Sequence, residues 1–447
     1  MNTLKAGFAR VDVTPGLGIG IYGYFIPRYA EGVLDTLNAN CLVLEASGNK
    51  IALISVDAGG IEKEVLEPIR KKIAETTGIP YEGIFIHATH SHTTPYVEIN
   101  SDDPLLQEYH TLYSRRLVDV VKMACDDLKP ARMGFAVGQA PNIAFVRRFR
   151  MKDGSVQTNP GVDNPNIVAP IGDVDERVNV LRFDREGGET IVLMNFGDHP
   201  DTVGGCKISA DWPGFAYRTL EQAIPGVKAL FFNGAQGDVN HVNVHPRGGY
   251  LNDMVNDFDD VTRGYGHARF MGRVVAGGVM QVYDKVQYVE VDSLRCAEKM
   301  IRVPSNMPAP EQIAEAHRIN DLHKAGHDDQ LPYAGMMLTT VVAEAERMVN
   351  LEHGPDAFEM PLGCIAIGNI ALIAIPGEPF TGIGRGLKET EGWDLVLPMC
   401  LTNASEGYFP MQEAYDEGGY ESRSSYYKAG VAELLIDEGK QLMATLK

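Results

Sequence analysis

Three histidines crowd the segment IFIHATHSHTTP (84–95): His87, His90 and His92, set among Thr89, Ser91, Thr93 and Thr94. His90 and His92 stand two residues apart, so on extended chain both project to one side, where one can bind a metal and the other work beside it. A fourth histidine, His199, sits in GDHPDT (197–202), and a polar glycine-bearing loop, NGAQGDVNH (233–241), carries Asp238, Asn240 and His241. Glu378 follows an apolar run in IPGEP (375–379). Two imidazoles and a carboxylate form a common ligand set for catalytic zinc, with a position left open for water or substrate. These residues are scattered, unlike the two ligands one turn apart in an HExxH helix. The plainer alternative is a set of hydrogen-bonding histidines that tie down loops. Arg147, Arg148 and Arg150 form a basic cluster that suits an anionic or polar substrate group, or simply a solvated surface. Ser209 or Asp211 reads as a helix cap.

Each chemical residue lies just past a short apolar run. Ile84–Ile86, Thr190–Phe196, Ala229–Phe232 and Ile370–Ile375 read as buried strands that deliver polar loops. If these strands share one sheet, their carboxyl ends converge in one crevice. Helical spacing over Glu62–Thr77 and Leu105–Leu128 supplies flanking helices. The expected fold is α/β, a mixed β-sheet core flanked by helices with active-site loops at the strand ends. The glycines of residues 16–23 lack the βαβ context of a dinucleotide site and read instead as backbone passing close to a substrate or strand. Residues 153–170 read as a long loop, and 308–350 as polar helices, a helical excursion or lid, with His317, His323 and His327 on the surface. No internal repeat and no linker is apparent.

The 447 residues are 44% hydrophobic and 22% charged, ordinary for a globular chain. A net charge of −20 argues against nucleic acid and anionic membranes as partners. Six dispersed cysteines without a Cys-x-x-Cys pair fit reduced thiols. With no signal peptide and no spanning segment visible, the expectation is a cytoplasmic protein without integral membrane contact, acting on a small-molecule substrate.

Five motifs occur in a characteristic order: ATHSHTTP (88–95), FGDHPDT (196–202), NGAQGDVN (233–240), IPGEPFT (375–381) and N-x4-Y-x6-Y-x4-YE (403–421). Together they resemble the neutral/alkaline non-lysosomal ceramidase family over residues 5–446, the span of that family's N-terminal catalytic domain. The resemblance implies a single catalytic domain over 1–447 and a zinc ion (Zn2+) held by His90, His199, Glu378 and Tyr408. It implies His92 beside the metal as proton-transfer or oxyanion-holding residue, and Arg147 near the substrate. Asp238 and Asn240 are expected to position groups. The sequence departs from the family at Asn240, which stands where the GDxS element has serine, so a covalent serine route there is excluded and metal-activated water remains. The chain also ends where the family's immunoglobulin-like domain would begin. The expected activity is therefore zinc-dependent hydrolysis of an amide, ester or lactone of a small polar molecule rather than of ceramide. A zinc-dependent lyase or isomerase acting on a sugar-like substrate, and a non-catalytic ligand-binding protein, are the alternatives.

Overall fold

A computed structural model describes residues 4–246, 259, 260 and 262–447. Strands β1 (Lys5–Asp12), β2 (Asn38–Ala46) and β3 (Asn49–Val56) pair antiparallel, and β4 (Ile84–Ala88) joins β3 in parallel. A parallel step needs a crossover, which helix α1 (Lys63–Thr77) supplies. Helix α2 (Pro104–Asp126) follows, begun by Asp103, whose side chain accepts from the Leu105 amide.

The same order then recurs. β5 (Lys129–Gln139), β6 (Arg177–Arg185) and β7 (Thr190–Phe196) are antiparallel; α3 (Asp211–Ala223) crosses over; β8 (Val227–Asn233) lies parallel to β7; α4 (Tyr265–Val282) follows. It recurs once more. β9 (Leu294–Pro304) and β10 (Ala357–Ile367) pair around an insertion holding α5 (Pro310–Lys324) and α6 (Gly335–Leu351). β11 (Ile370–Ala374), α7 (Thr381–Lys388), the parallel β12 (Leu395–Met399) and α8 (Val431–Ala444) complete the unit. The chain is thus one β-β-β-α-β-α unit built three times, which corrects the expectation of no internal repeat. Insertions of unequal length between the first and second strands (13–37, 140–176 and 305–356) destroy any fixed sequence period.

The first two units join in a nine-stranded mixed sheet, but only Lys5↔Pro130 and Ala6↔Lys129 link β1 to β5. The third unit forms its own four-stranded sheet, so the strands that carry the polar loops are divided between two sheets. One buried cluster draws on all three units, with Leu42, Leu53 and Phe85, then Leu181, Leu193 and Phe232, then Ile365, Leu372 and Leu397. Alternate residues face outward: Cys41 and Val43 pack with Ile73 and Leu117 of α1 and α2, Val192 and Met194 with Leu220 and Val275 of α3 and α4, and Ala371 and Ile373 with Leu387 and Leu435 of α7 and α8. Strands buried on both faces explain why they read as continuous apolar runs.

Residues 153–170, expected to be loop, contribute Val156–Thr158 and Ile167–Pro170 to a three-stranded sheet with Arg148–Met151. Asp153 makes the first turn by accepting from the Ser155 amide, a local bond that composition alone does not reveal. No helix among the described residues is long and apolar enough to cross a membrane.

Candidate metal centre and its cavity

β4 runs into Thr89 and His90. His90 adopts a left-handed backbone, φ 78°, unusual for a non-glycine residue, and its amide donates to Ala58 O at 2.7 Å. Its Nδ1 lies 2.5 Å from Gly59 O, so Nδ1 carries the proton and Nε2 is left as a bare lone pair. His199, delivered by β7, places Nδ1 3.4 Å from Gln236 O in the same sense. The two Nε2 atoms then face each other at 3.2 Å. His92 Nε2 stands 3.3 Å from His90 Nε2, and the ligand atoms of all three histidines lie within 4.8 Å of one another. Glu378, delivered by β11, puts Oε2 3.2 Å from His90 Nε2 and 3.6 Å from His199 Nε2.

Two buried imidazole lone pairs and a carboxylate aimed at one point repel one another unless a cation lies among them. Ligands about 2.0–2.2 Å from a tetrahedral zinc stand roughly 3.3–3.6 Å apart, close to these separations. The residues therefore fit a divalent metal with N and O ligands. Gln236 supports the carboxylate, its Nε2 donating to Glu378 Oε2 at 3.3 Å.

Burial pushes the His199 imidazole far below its ordinary pKa, with Arg147 adding to the effect. Burial also lowers His92, to about 4, against the opposing pull of Asp201. His90 goes the other way: burial lowers it, but Glu378 and the Gly59 carbonyl together turn the net shift upward. Burial pushes the Glu378 carboxyl up, but His90, Arg147 and His92 together hold it below the usual carboxylate range. His199 and His92 are thus neutral at pH 7, the form in which imidazole binds metal or accepts a proton.

Tyr408 pairs in register with Glu378 through the short parallel ladder of Glu378–Pro379 with Tyr408–Phe409, and its ring stacks on His199 with centroids 6.5 Å apart. The Arg147 guanidinium lies 5.3 Å from the Tyr408 ring centroid. Burial, then Glu378, hold the Tyr408 phenol well above its ordinary pKa, while Arg147 pulls it down. Arg147 is itself committed: it donates to Gly237 O at 2.6 Å, and its Nε lies 2.7 Å from Glu421. Arg148 and Arg150 pair with Glu417 and take no part in the site.

Asp238 and Asn240 are not brought to the cavity. Asp238 accepts from the Thr381 amide and hydroxyl, holding the first turn of α7. Asn240 donates to Asn159 and accepts from the Val242 amide, tying down the 140–176 insertion. Asp211 accepts from the Thr202 and Val203 amides and so fixes the chain after His199, while also accepting from the Trp212 amide in the first turn of its helix; Ser209 accepts from the Asp211 amide and donates to Asp35.

A cavity of about 460 Å³ opens above the histidines. Its lining includes His90, His92, Glu378, Tyr408 and Tyr420, together with Tyr22, Tyr24, Phe25 and Tyr96 and residues of α5 and α6; the Phe25 ring lies edge-on to His323 of α5. The glycines of 16–23 serve this wall. Gly23 has φ 109°, and a Cβ there would lie 2.8 Å from the His92 ring, so only glycine lets Tyr22 and Tyr24 flank that histidine. His323, expected on the surface, lines the cavity. Sequence reading missed Tyr22, Tyr24, Tyr96, Asn320, Lys324 and Glu346; an aromatic pair flanking a glycine was the one local signal, at Tyr22 and Tyr24.

No family model matches the chain. Neutral ceramidase A of Dictyostelium discoideum is 21% identical, the match covering 95% of this chain and 70% of that protein. The chain is thus similar to a neutral ceramidase over nearly its whole length. Neutral ceramidase of Drosophila melanogaster is 25% identical over 49% of this chain and 32% of its own length. The crystal structure of neutral ceramidase from Pseudomonas aeruginosa superposes with a TM-score of 0.75 at 17% identity, covering 100% of this chain and 75% of that one. A ceramidase complexed with C2 gives 0.73 at 18% identity, with the same coverage. The mixed sheets flanked by helices are the neutral ceramidase fold.

Proposed function

We propose that the chain is a metal-dependent hydrolase that cleaves an amide, ester or lactone of a small polar molecule, and that ceramide is not its substrate. The observation that carries this reading is the bare Nε2 atoms of His90 and His199 meeting the Glu378 carboxylate at the floor of the cavity. Its relatives are named ceramidases, hydrolases of an amide. His90, His199, Glu378 and Tyr408 would hold zinc, which when bound supplies Lewis acidity and brings the pKa of water towards neutrality. His92, neutral and facing the same point, takes up a proton at a ring nitrogen. Tyr22 and Tyr24 pack edge-on against its ring and hold it in place. Arg147 holds the Tyr408 ring from behind and offsets the negative charge of Glu378. The lining argues against ceramide: among the described residues, Phe25 and Val342 are the only purely apolar side chains in it, too little to cover two long chains.

Elemental analysis tests the centre. The wild type should contain about one equivalent of zinc, lost in both His90→Ala and Glu378→Ala, whose ligands come from different thirds of the chain. A screen of amides, esters and lactones should find turnover in the wild type alone. Absence of metal uptake, or full turnover in His90→Ala without zinc, defeats the proposal.

A further inference from the structure

Part of the cavity lining is made by the helical insertion of the third unit. Asn320 and His323 come from α5, with Lys324 at its end, and Val342 and Glu346, one turn apart, come from α6. Asn320 is only 5% exposed, yet among the described residues its amide makes no hydrogen bond. Glu346, half-buried, likewise has neither hydrogen bond nor ion pair, while its helix neighbours Glu344 and Arg347 are both engaged, with Arg423 and with backbone carbonyls. An amide and a carboxylate without protein partners at a cavity wall are free to take hydrogen bonds from a ligand, which would replace the water there.

From this wall we infer that the substrate is a neutral polyhydroxylated molecule, of sugar size, whose hydroxyls are read by Asn320 and Glu346 while its scissile group lies over His90 and His92. The inference rests on the proposed hydrolase reading. The donor and acceptor inventory selects hydroxyls: the carboxylate accepts, the Lys324 ammonium donates, and the amide does both. Charges of both signs disfavour a simple anion or a simple cation, each of which would meet its own sign. An alkyl chain would desolvate Asn320 and Glu346 and return nothing, which is how a polar site rejects an apolar analogue. Tyr22, Tyr96 and Tyr420 offer ring surface to the C–H faces of such a molecule. The volume lies within the roughly 300–1,000 Å³ usual for small-molecule sites.

The test compares ligands that share an amide and differ in hydroxyls. N-acetylglucosamine, N-acetylgalactosamine and N-acetylmannosamine are titrated calorimetrically into the full-length protein as purified, beside N-cyclohexylacetamide. At least one hexosamine should bind about tenfold or more tighter than the cyclohexyl amide, and Asn320→Ala and Glu346→Gln should each remove about tenfold of that preference. Binding of the cyclohexyl amide and zinc content should stay unchanged in both variants, which a merely structural role would not allow. No hexosamine binding more tightly than the control, or a preference intact in the double variant, overturns the inference. The two proposals fail separately. Zinc and amide hydrolysis without a hydroxyl preference would sink this inference alone. A preference in a protein that takes up no metal would sink the hydrolase reading alone.

Discussion

His87, the first histidine of the His-rich segment, never reaches the cavity, and its chemistry is structural. It is wholly buried; Nδ1 lies 2.7 Å from Cys400 O and Nε2 accepts from the Asn233 amide at 2.9 Å. One neutral imidazole thereby joins the fourth strands of all three units. Burial lowers its pKa to about 3, so it is uncharged in the folded chain across the physiological range. The unfolded chain takes up a proton near pH 6.5 and the folded chain does not until about pH 3, so this contribution is complete above pH 6.5 and is lost progressively as pH falls towards 3. His87→Gln should cost about 2–4 kcal/mol at pH 7.5 by disturbing two buried hydrogen bonds. Its deficit should then narrow by about 1.4 kcal/mol per pH unit below 6.5, because glutamine does not titrate. Urea unfolding of both proteins at pH 7.5 and 5.5 reads this directly, and an unchanged gap would mean that His87 is charged when folded. Residue types alone cannot separate this histidine from His90: both follow the same apolar strand, and only the positions of Asn233 and Cys400, more than 140 residues away, assign them different work.

At the scale of elements, the cavity depends on how firmly α5 and α6 are held over it. The two helices share a small apolar cluster of Ala316, Ile319, Val341, Val342 and Ala345. α6 is fixed to the body by Arg347, a buried guanidinium that donates to Arg423 O at 2.9 Å and to Asn306 O. Arg347→Ala leaves those carbonyls without their charged donor and should loosen the pair without touching the metal ligands. The expected result is a KM raised about tenfold with zinc content unchanged, and a loss of about 2–3 kcal/mol in urea unfolding. A fall in kcat alone would show that the helices do not shape substrate binding. The elements that deliver His90, His199 and Glu378 were legible because a buried strand followed by a polar loop is a local pattern. The role of α5 and α6 was not. Asn320, Lys324 and Glu346 look like the solvated face of any charged helix, and only where the hairpin lands turns that face into a wall. Asp238 and Asn240 misled in the opposite direction, since a polar loop after a buried strand also serves to hold a helix start or a neighbouring insertion.

For the whole molecule, the threefold build means that no unit can bury its inner sheet face alone: Leu42 and Phe85, Leu193 and Phe232, and Leu372 and Leu397 need one another. The candidate ligands follow the same division, with His90 and His92 from the first unit, His199 from the second, and Glu378 and Tyr408 from the third. A metal bound there closes a triangle that the shared core and His87 already draw together, so its binding energy adds to the stability of the entire fold. Unfolding should therefore be one transition, monitored alike by tryptophan fluorescence at Trp212 and Trp393 and by circular dichroism. Chelation should lower its midpoint, and above the dissociation constant each tenfold rise in free zinc should add about 1.4 kcal/mol. Glu378→Ala, which lacks only the third unit's carboxylate, should unfold at a midpoint that chelator does not move. If chelation shifted one of two resolved transitions and spared the other, the ligands would not be binding all three units to a single ion, and the metal would belong to a part of the molecule rather than to its closure.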